Sequence, residues 1–297
     1  MVKIYCKFLL LAALAAFVSV FFAPDARAAN SYTVADGATV TIDEWGGCRR
    51  VTNNHASNKS LFVPTKTLTE WQTFVNNPPA GVSVATCGEM TLLLHCDGTD
   101  GGTTFSNPGT GPALSAGGNT ITDTGRKKFG TASCYFDGAG DYLYSDNTSY
   151  WDQPGEFMIE MWVYVASGSD PLVGFVDLGP SGVGMFLEMT GGANFRGHFN
   201  GTYQTSTSFT KAAWHHVAFS RTSGGVIRTY LDGTEVSQAS GYTSAEEGGM
   251  TLGTYRNQRG TSTYALTGWI DEVRMLRGTG SALYTGNTIS VPAEAFW

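Results

Sequence analysis

The sequence predicts an all-β sandwich. Three observations carry this. The chain of 297 residues holds 38 glycines and only 14% charged residues, against roughly 25% in typical soluble domains. Short apolar runs rich in β-branched and aromatic residues recur through most of its length, with Gly, Asn, Asp or Ser between them. No helical or solenoid repeat is visible. The same composition excludes other classes. A hydrophobic content of 42% is too high for a disordered chain. A net charge of -7 is the wrong sign for a nucleic-acid binder.

The chain opens with an address. Lys3 and Lys7 precede an apolar run over 8–22, and Ala26-Arg27-Ala28 offers a cleavage point before Ala29. The run is shorter than the roughly 20 residues of a membrane-spanning helix, so 1–28 reads as a cleaved signal peptide. No later segment resembles a membrane span. The expected location is secreted, periplasmic or cell-surface. Losing three basic residues and one acidic one takes the net charge from -7 to -9.

Residues 29–88 read as a small α+β module. Strand-like residues lie at 32–34 and 38–42. Thr67 and Glu70 have capping-box spacing, Trp71, Phe74 and Val75 then share a helical face, and Asn76-Asn77-Pro78-Pro79 ends the helix. About 60 residues give a thin core, which a disulfide would reinforce. Four cysteines follow the leader: Cys48, Cys87, Cys96 and Cys134. An even count in an exported chain reads as two bridges, with three possible pairings. Cys48–Cys87 with Cys96–Cys134 keeps each bridge within one module. No C-x-x-C spacing marks a zinc site.

Residues 89–297 read as strand after strand. Candidates lie at 90–96, 132–136, 157–165, 172–178, 183–189, 214–220, 226–231, 250–252 and 269–275. Asp97-Gly98, Asp137-Gly138 and Asp232-Gly233 are hairpin-type signals. Some 200 residues of short strands without interleaved helices point to a sandwich or jelly roll.

An ordered set of short motifs then carries a resemblance. Leu92-Leu93-Leu94-His95-Cys96-Asp97-Gly98 comes first. Lys128-Phe129-Gly130-Thr131-Ala132-Ser133, Tyr135-Phe136-Asp137-Gly138 and Asp141-Tyr142-Leu143 follow. Next are Phe157-Met158-Ile159-Glu160-Met161-Trp162-Val163 and Trp214-His215-His216-Val217-Ala218. Tyr230-Leu231-Asp232-Gly233, Gly268-Trp269-Ile270-Asp271-Glu272-Val273-Arg274 and Ala282-Leu283-Tyr284-Thr285 close the series. In order and spacing this resembles the laminin-G-like, concanavalin A-like jelly roll in its bacterial three-element form, over nearly all of 90–297. The resemblance implies two antiparallel sheets packed face to face. Cys96 departs from the aromatic or aliphatic residue expected there. Cys134 lies in the other early strand, which favours their pairing. The resemblance also implies one structural calcium ion, with Asp271 as the transferred ligand and Asp97 as a second oxygen donor. Asp137 and Asp141 are alternatives.

Glycosidases of this fold place E-x-D-x-x-E or E-x-D-x-E on one strand face. The sequence has neither. Glu156 and Glu160 share a face without an Asp between them. His215 and His216 are neighbours on a strand and point to opposite faces. There is no G-x-S-x-G, H-E-x-x-H or phosphate-binding glycine loop. The expectation is a protein that is not an enzyme. Alternation along 157–165, 183–189, 193–199 and 226–231 puts apolar residues on the core side. It leaves Trp162, Tyr164, Glu188, Arg196, His198, Arg228 and Tyr230 on the other side. Aromatic rings with carboxylates and guanidinium groups suit a carbohydrate. The expected partner is a glycan or a cell-surface protein. The alternative is a structural module of an envelope, filament or phage-related appendage.

Overall fold

The computed structural model describes the backbone of five strands before residue 87. From Glu89 onward it describes all residues except 152–154, 170–171, 180–184, 192, 200, 241–247, 279–283, 290 and 297. The chain divides into two compact units, 1–43 with 49–86, and 44–48 with 87–297. The early strands are β1 (Asn30–Val34), β2 (Thr39–Glu44), β3 (Gly47–Asn53), β4 (Lys59–Val63) and β5 (Val82–Thr86). β1 pairs with β4, and β2, β3 and β5 form a three-stranded sheet. The leader at 1–28, the helix after Thr67 and the Cys48–Cys87 bridge lie outside the described residues.

Sixteen further strands build a two-sheet sandwich. They are β6 (Glu89–Leu94), β7 (Ser115–Gly117), β8 (Ile121–Asp123), β9 (Ser133–Asp137), β10 (Tyr142–Ser145), β11 (Phe157–Val165), β12 (Val173–Leu178) and β13 (Met185–Thr190). Then come β14 (Asn194–Phe199), β15 (Thr202–Tyr203), β16 (Thr207–Ser208), β17 (Trp214–Arg221), β18 (Ile227–Leu231), β19 (Thr234–Ala239), β20 (Met250–Leu252) and β21 (Thr267–Arg277). The first sheet runs β15-β14-β13-β12-β20-β10-β7, with β16 on β14. The second runs β19-β18-β17-β11-β21-β9-β8, with β6 on β21. Among the described residues every pairing in the two sheets is antiparallel. One helical turn, Thr148–Trp151, and one 3-10 turn, Arg256–Gln258, interrupt this all-β unit.

Alternation fills the space between the sheets. On β11, Phe157, Ile159, Met161, Val163 and Val165 enter the core. Met185, Leu187 and Met189 of β13 and Phe195 and Phe199 of β14 meet them from the opposite sheet. Burial of these side chains is the main stabilising term, at roughly 1.5–3 kcal/mol each. The long strand β21 breaks alternation once. Glu160 pairs with Arg274 but Trp162 pairs with Asp271, so β21 carries one extra residue there. Glu272 takes φ 51° at this bulge. Ile270 and Val273 stay in the core, while Asp271 and Glu272 engage partners outside it.

The turn signals had different fates. Asp232 (φ 47°) and Gly233 (φ 82°) do join β18 to β19, both left-handed as a type I′ hairpin requires. A Cβ at Gly233 would also meet the Ile289 carbonyl at 2.8 Å. Asp137-Gly138 is no hairpin, because it carries the chain from β9 in one sheet to β10 in the other. Asp97-Gly98 follows β6, which pairs with β21 rather than with the next strand. Cys96 and Cys134 are bonded, with Cα atoms 5.2 Å apart, as the early strands suggested.

Candidate functional site

The seven residues expected on one face occupy two. Glu188, Arg196 and His198 lie on the outer face of the first sheet. Trp162, Tyr164, Arg228 and Tyr230 lie on the outer face of the second. The hydrophobic core separates the groups. Alternation identifies the side of a strand that avoids the core, but it does not say which sheet the strand joins.

On the first sheet a single row crosses every strand of the main ladder. Pairing runs from Ser115 to Tyr144, Thr251, Asp177, Phe186, His198 and Tyr203. The middle of the row is roofed by the segment around Arg256. Asp177 accepts the Arg256 backbone N–H at 2.9 Å, and Arg259 donates to the Thr251 hydroxyl. Burial pushes the Asp177 carboxyl up to about 6, against the pull of that N–H and of the two arginines. Tyr255 packs on Gly174, where an added Cβ would lie 3.0 Å from the ring, and edge-on to Phe186 with centroids 5.1 Å apart.

The open end of the row is aromatic and charged. Phe186 stacks on His198 with centroids 4.1 Å apart. Tyr203 is 55% exposed, the one exposed large hydrophobic residue among those described. Arg196 lies 3.8 Å over its ring. Arg196 Nε donates to Glu188 Oε1 across β13 and β14. Glu188 is fully buried, and burial raises its carboxyl despite Arg196. A stacked, anchored guanidinium beside an exposed ring is a preorganised arrangement for binding a ring with hydroxyl groups. The sequence pattern does not mark Tyr203, because β15 is only two residues long. Its neighbour in register, His198, was the available clue.

On the second sheet most of the expected residues are closed. The chain after β21 crosses this face. Tyr284 donates to Glu160 at 2.6 Å, Tyr230 donates to the Gly286 carbonyl at 2.9 Å, and the Phe296 N–H bonds Glu272 at 2.7 Å. Trp162 is buried with Leu93 and Phe296, and Tyr230 is fully buried. Arg228 pairs with Glu235 at 3.0 Å. Trp162 and Tyr230 thus pack the protein against itself and do not face a ligand. Beneath them Glu160 also meets Arg274 and, at 2.8 Å, His216. Burial works to raise the Glu160 carboxyl, but Arg274, His216 and Tyr284 together bring it to about 2.

Tyr164 stands apart from this closed region. Trp214, Tyr164, Trp269 and Tyr135 are successive cross-strand partners on β17, β11, β21 and β9, and all four are half-buried. Neighbouring ring centroids are 5.7, 5.4 and 5.1 Å apart.

The two metal candidates, Asp97 and Asp271, both engage one loop. Asp97 accepts from the backbone N–H and hydroxyl of Thr131 and the N–H of Ala132. Asp271 accepts the N–H groups of Lys128 at 2.7 Å and Phe129 at 3.1 Å. Both carboxylates hold the 128–132 loop. Asp141 likewise accepts from Asn119 N and Asp137 N, and Asp137 from Ala139 N and the Asn119 side chain. The 128–132 donors occupy one oxygen of Asp97 and one of Asp271. Among the described residues no group of three His, Cys, Asp or Glu could hold a metal. Burial pushes Asp271 up to about 7 against those two N–H groups.

No curated protein matches the chain. Domain 4 of AbnA, an extracellular GH43 arabinanase of Geobacillus stearothermophilus solved with arabinotriose, is similar at TM-score 0.48 and 15% identity. That match covers 64% of this chain and 93% of the other. The botulinum neurotoxin serotype D binding domain is similar at TM-score 0.45 and 12% identity, over 66% of this chain and 50% of the other. The chain thus spans about half of that neurotoxin domain. The family model of the laminin-G type described as the concanavalin A-like lectin/glucanases superfamily matches residues 136–282. The two antiparallel sheets form a concanavalin A-like jelly roll, and the stretch that matches this superfamily's model runs from β9 to beyond β21.

Proposed function

We propose that the jelly roll is a non-enzymatic carbohydrate-binding module, exported by its leader, and that its ligand meets the first sheet at Tyr203 and Arg196. The observation that carries this reading is the Arg196 guanidinium 3.8 Å over the exposed Tyr203 ring and tied to buried Glu188. The open side of Tyr203 can stack on the apolar face of a sugar, and the outward donors of Arg196 can reach its hydroxyls.

The carboxylates support a binding role over a hydrolytic one. Glycoside hydrolysis takes two carboxyl groups flanking the scissile bond. Glu160 and Glu188 lie on outer faces of opposite sheets, each fully buried against an arginine. Asp177 shares a face with Glu188 but is 4% exposed beneath the Arg256 segment.

A glycan array tests the reading, with wild type beside Tyr203→Ala and Arg196→Ala. Binding that both variants lose supports it; no binding across a broad array overturns it. Release of reducing sugar from any bound polysaccharide would overturn the non-enzymatic part. Ordered assemblies without glycan binding would favour a structural module instead.

A further inference from the structure

We infer that the site on the first sheet selects sugars that carry a carboxylate: the free edge of the Arg196 guanidinium, anchored by Glu188, takes the two oxygens of a uronic acid. This rests on the carbohydrate reading above and names the class of sugar.

A guanidinium offers two edges to an acid. One edge is Nε with a terminal nitrogen, and the other is the pair of terminal nitrogens. Nε of Arg196 donates to Glu188 Oε1, so Glu188 lies at the first edge. It holds the guanidinium by that one oxygen, because Glu188 Oε2 is buried without a partner. Nη1 and Nη2 have no hydrogen-bond partner among the described residues, and neither is a buried atom. The stem is fixed as well, since the guanidinium lies 3.8 Å over the Tyr203 ring. One face on an aromatic ring and one edge on a carboxylate leave the second edge, with its two parallel N–H donors, for a ligand. A sugar hydroxyl uses one such donor at a time, whereas a carboxylate uses both. Because the donors are set before the ligand arrives, little freedom is lost on binding.

The charge on this face has the sign that an anion needs. The strands of the first sheet hold three residues of fixed charge: Asp177, Glu188 and Arg196. Both carboxylates are buried, and each already has a partner. Arg196 is the one that reaches solvent, with 23% of its side chain exposed. The chain carries -7 overall, yet here the acids lie beneath and the cation lies outside. Further along the face, Arg256 and Arg259 share one exposed acid, Asp146. Burial also raises the Glu188 carboxyl, so the acid already beside Arg196 gives up its charge more readily than an ordinary one. An incoming carboxylate therefore meets an uncrowded guanidinium.

Titration calorimetry on the whole wild-type chain tests this without any variant. The probes are short oligomers of galacturonate, glucuronate and mannuronate, each beside its carboxyl-reduced counterpart. Reduction turns the carboxylate into a hydroxymethyl group and keeps the ring. At least one acid should bind about tenfold more tightly than its reduced form, and high salt should narrow the gap. Arg196→Gln, with the melting temperature as its folding control, should bind the acid and the reduced form alike. Equal binding of both forms by wild type overturns this inference and leaves the carbohydrate reading standing. A preference for the acid that survives in Arg196→Gln overturns it too, because the acid then sits elsewhere. Tighter binding of a sulfated oligosaccharide of the same length than of any uronate gives the edge to a sulfate ester and also overturns it. Wild type that binds neither acidic nor neutral sugars overturns the carbohydrate reading, and this inference with it.

Discussion

Glu188 and Arg196 face each other directly across β13 and β14, and through this pairing a buried carboxylate sets the plane of a guanidinium on the surface. Arg196→Lys keeps the charge but loses the flat fork. It should weaken glycan binding about five- to tenfold, by the ~1 kcal/mol of a partly exposed cation–π contact. Titration calorimetry on a glycan bound by wild type checks this. Unchanged affinity would mean that charge alone matters at this position.

Asp177 makes stability depend on pH through the roofed part of the first sheet. Its carboxyl is raised from 3.8 to about 6 in the folded protein, mainly by burial. A raised carboxyl stabilises the fold below about pH 4, and this contribution is lost as pH climbs to about 6. Asp177→Asn keeps an acceptor for the Arg256 N–H without the charge. It should be more stable than wild type by about 2–3 kcal/mol at pH 8 and near equal at pH 4. Denaturant titrations at both values give the comparison; a difference independent of pH would refute the assignment.

Glu160 has the opposite sign. Its carboxyl is held at about 2, so its contribution is complete above the ordinary carboxylate range near 4.5 and disappears as pH falls toward 2. Glu160→Gln removes the buried charge that Arg274 and His216 face and should cost roughly 3–5 kcal/mol. Adding Arg274→Met should recover part of that loss. A double variant less stable than Glu160→Gln would show that the pair is not what Arg274 answers to.

The Cys96–Cys134 bridge closes a segment with a sequence separation of 38. Loop entropy alone predicts a loss of about 4 kcal/mol when it is removed. Guanidinium unfolding of a Cys96→Ala, Cys134→Ala variant measures this. Equal midpoints would imply that the reduced chain keeps the same restriction.

Calcium removal gives a sharper check on Asp97 and Asp271. Both already satisfy backbone donors of the 128–132 loop. A chelator should leave the melting temperature unchanged, and added calcium should not raise it. A calcium-dependent rise would show that these donors yield to an ion.

Much of the fold was legible because alternation is local. The strand at 157–165 and the one at 250–252 fall where the apolar pattern put them. Short edge strands such as β15 and β16 are too brief to show a period. The candidate site was harder to see. Glu188, Arg196 and His198 come together because β13 and β14 are adjacent hairpin partners. Trp162 and Tyr230 share the polar side of their strands, yet residues more than 50 positions later cover them. The aromatic row needs the order of β17, β11, β21 and β9, which arises from pairings between distant segments. Of that row, strand alternation marks only Tyr164.

The bulge in β21 makes one residue of this strand dispensable to the core. With Glu272 present, Asp271 grips the 128–129 backbone while Glu272 grips His95 and the Phe296 amide. Excise Glu272, and Ile270, Asp271 and Val273 still read inward, outward, inward, now in regular pairing with β11. Excise Val273 instead, and regular pairing puts Glu272 in the inward position opposite Met161. The strand can be shortened within the bulge and not beyond it, so a single-codon deletion scan across 270–275 should find the core tolerant of a gap at 271 or 272 and intolerant at the apolar positions beside them.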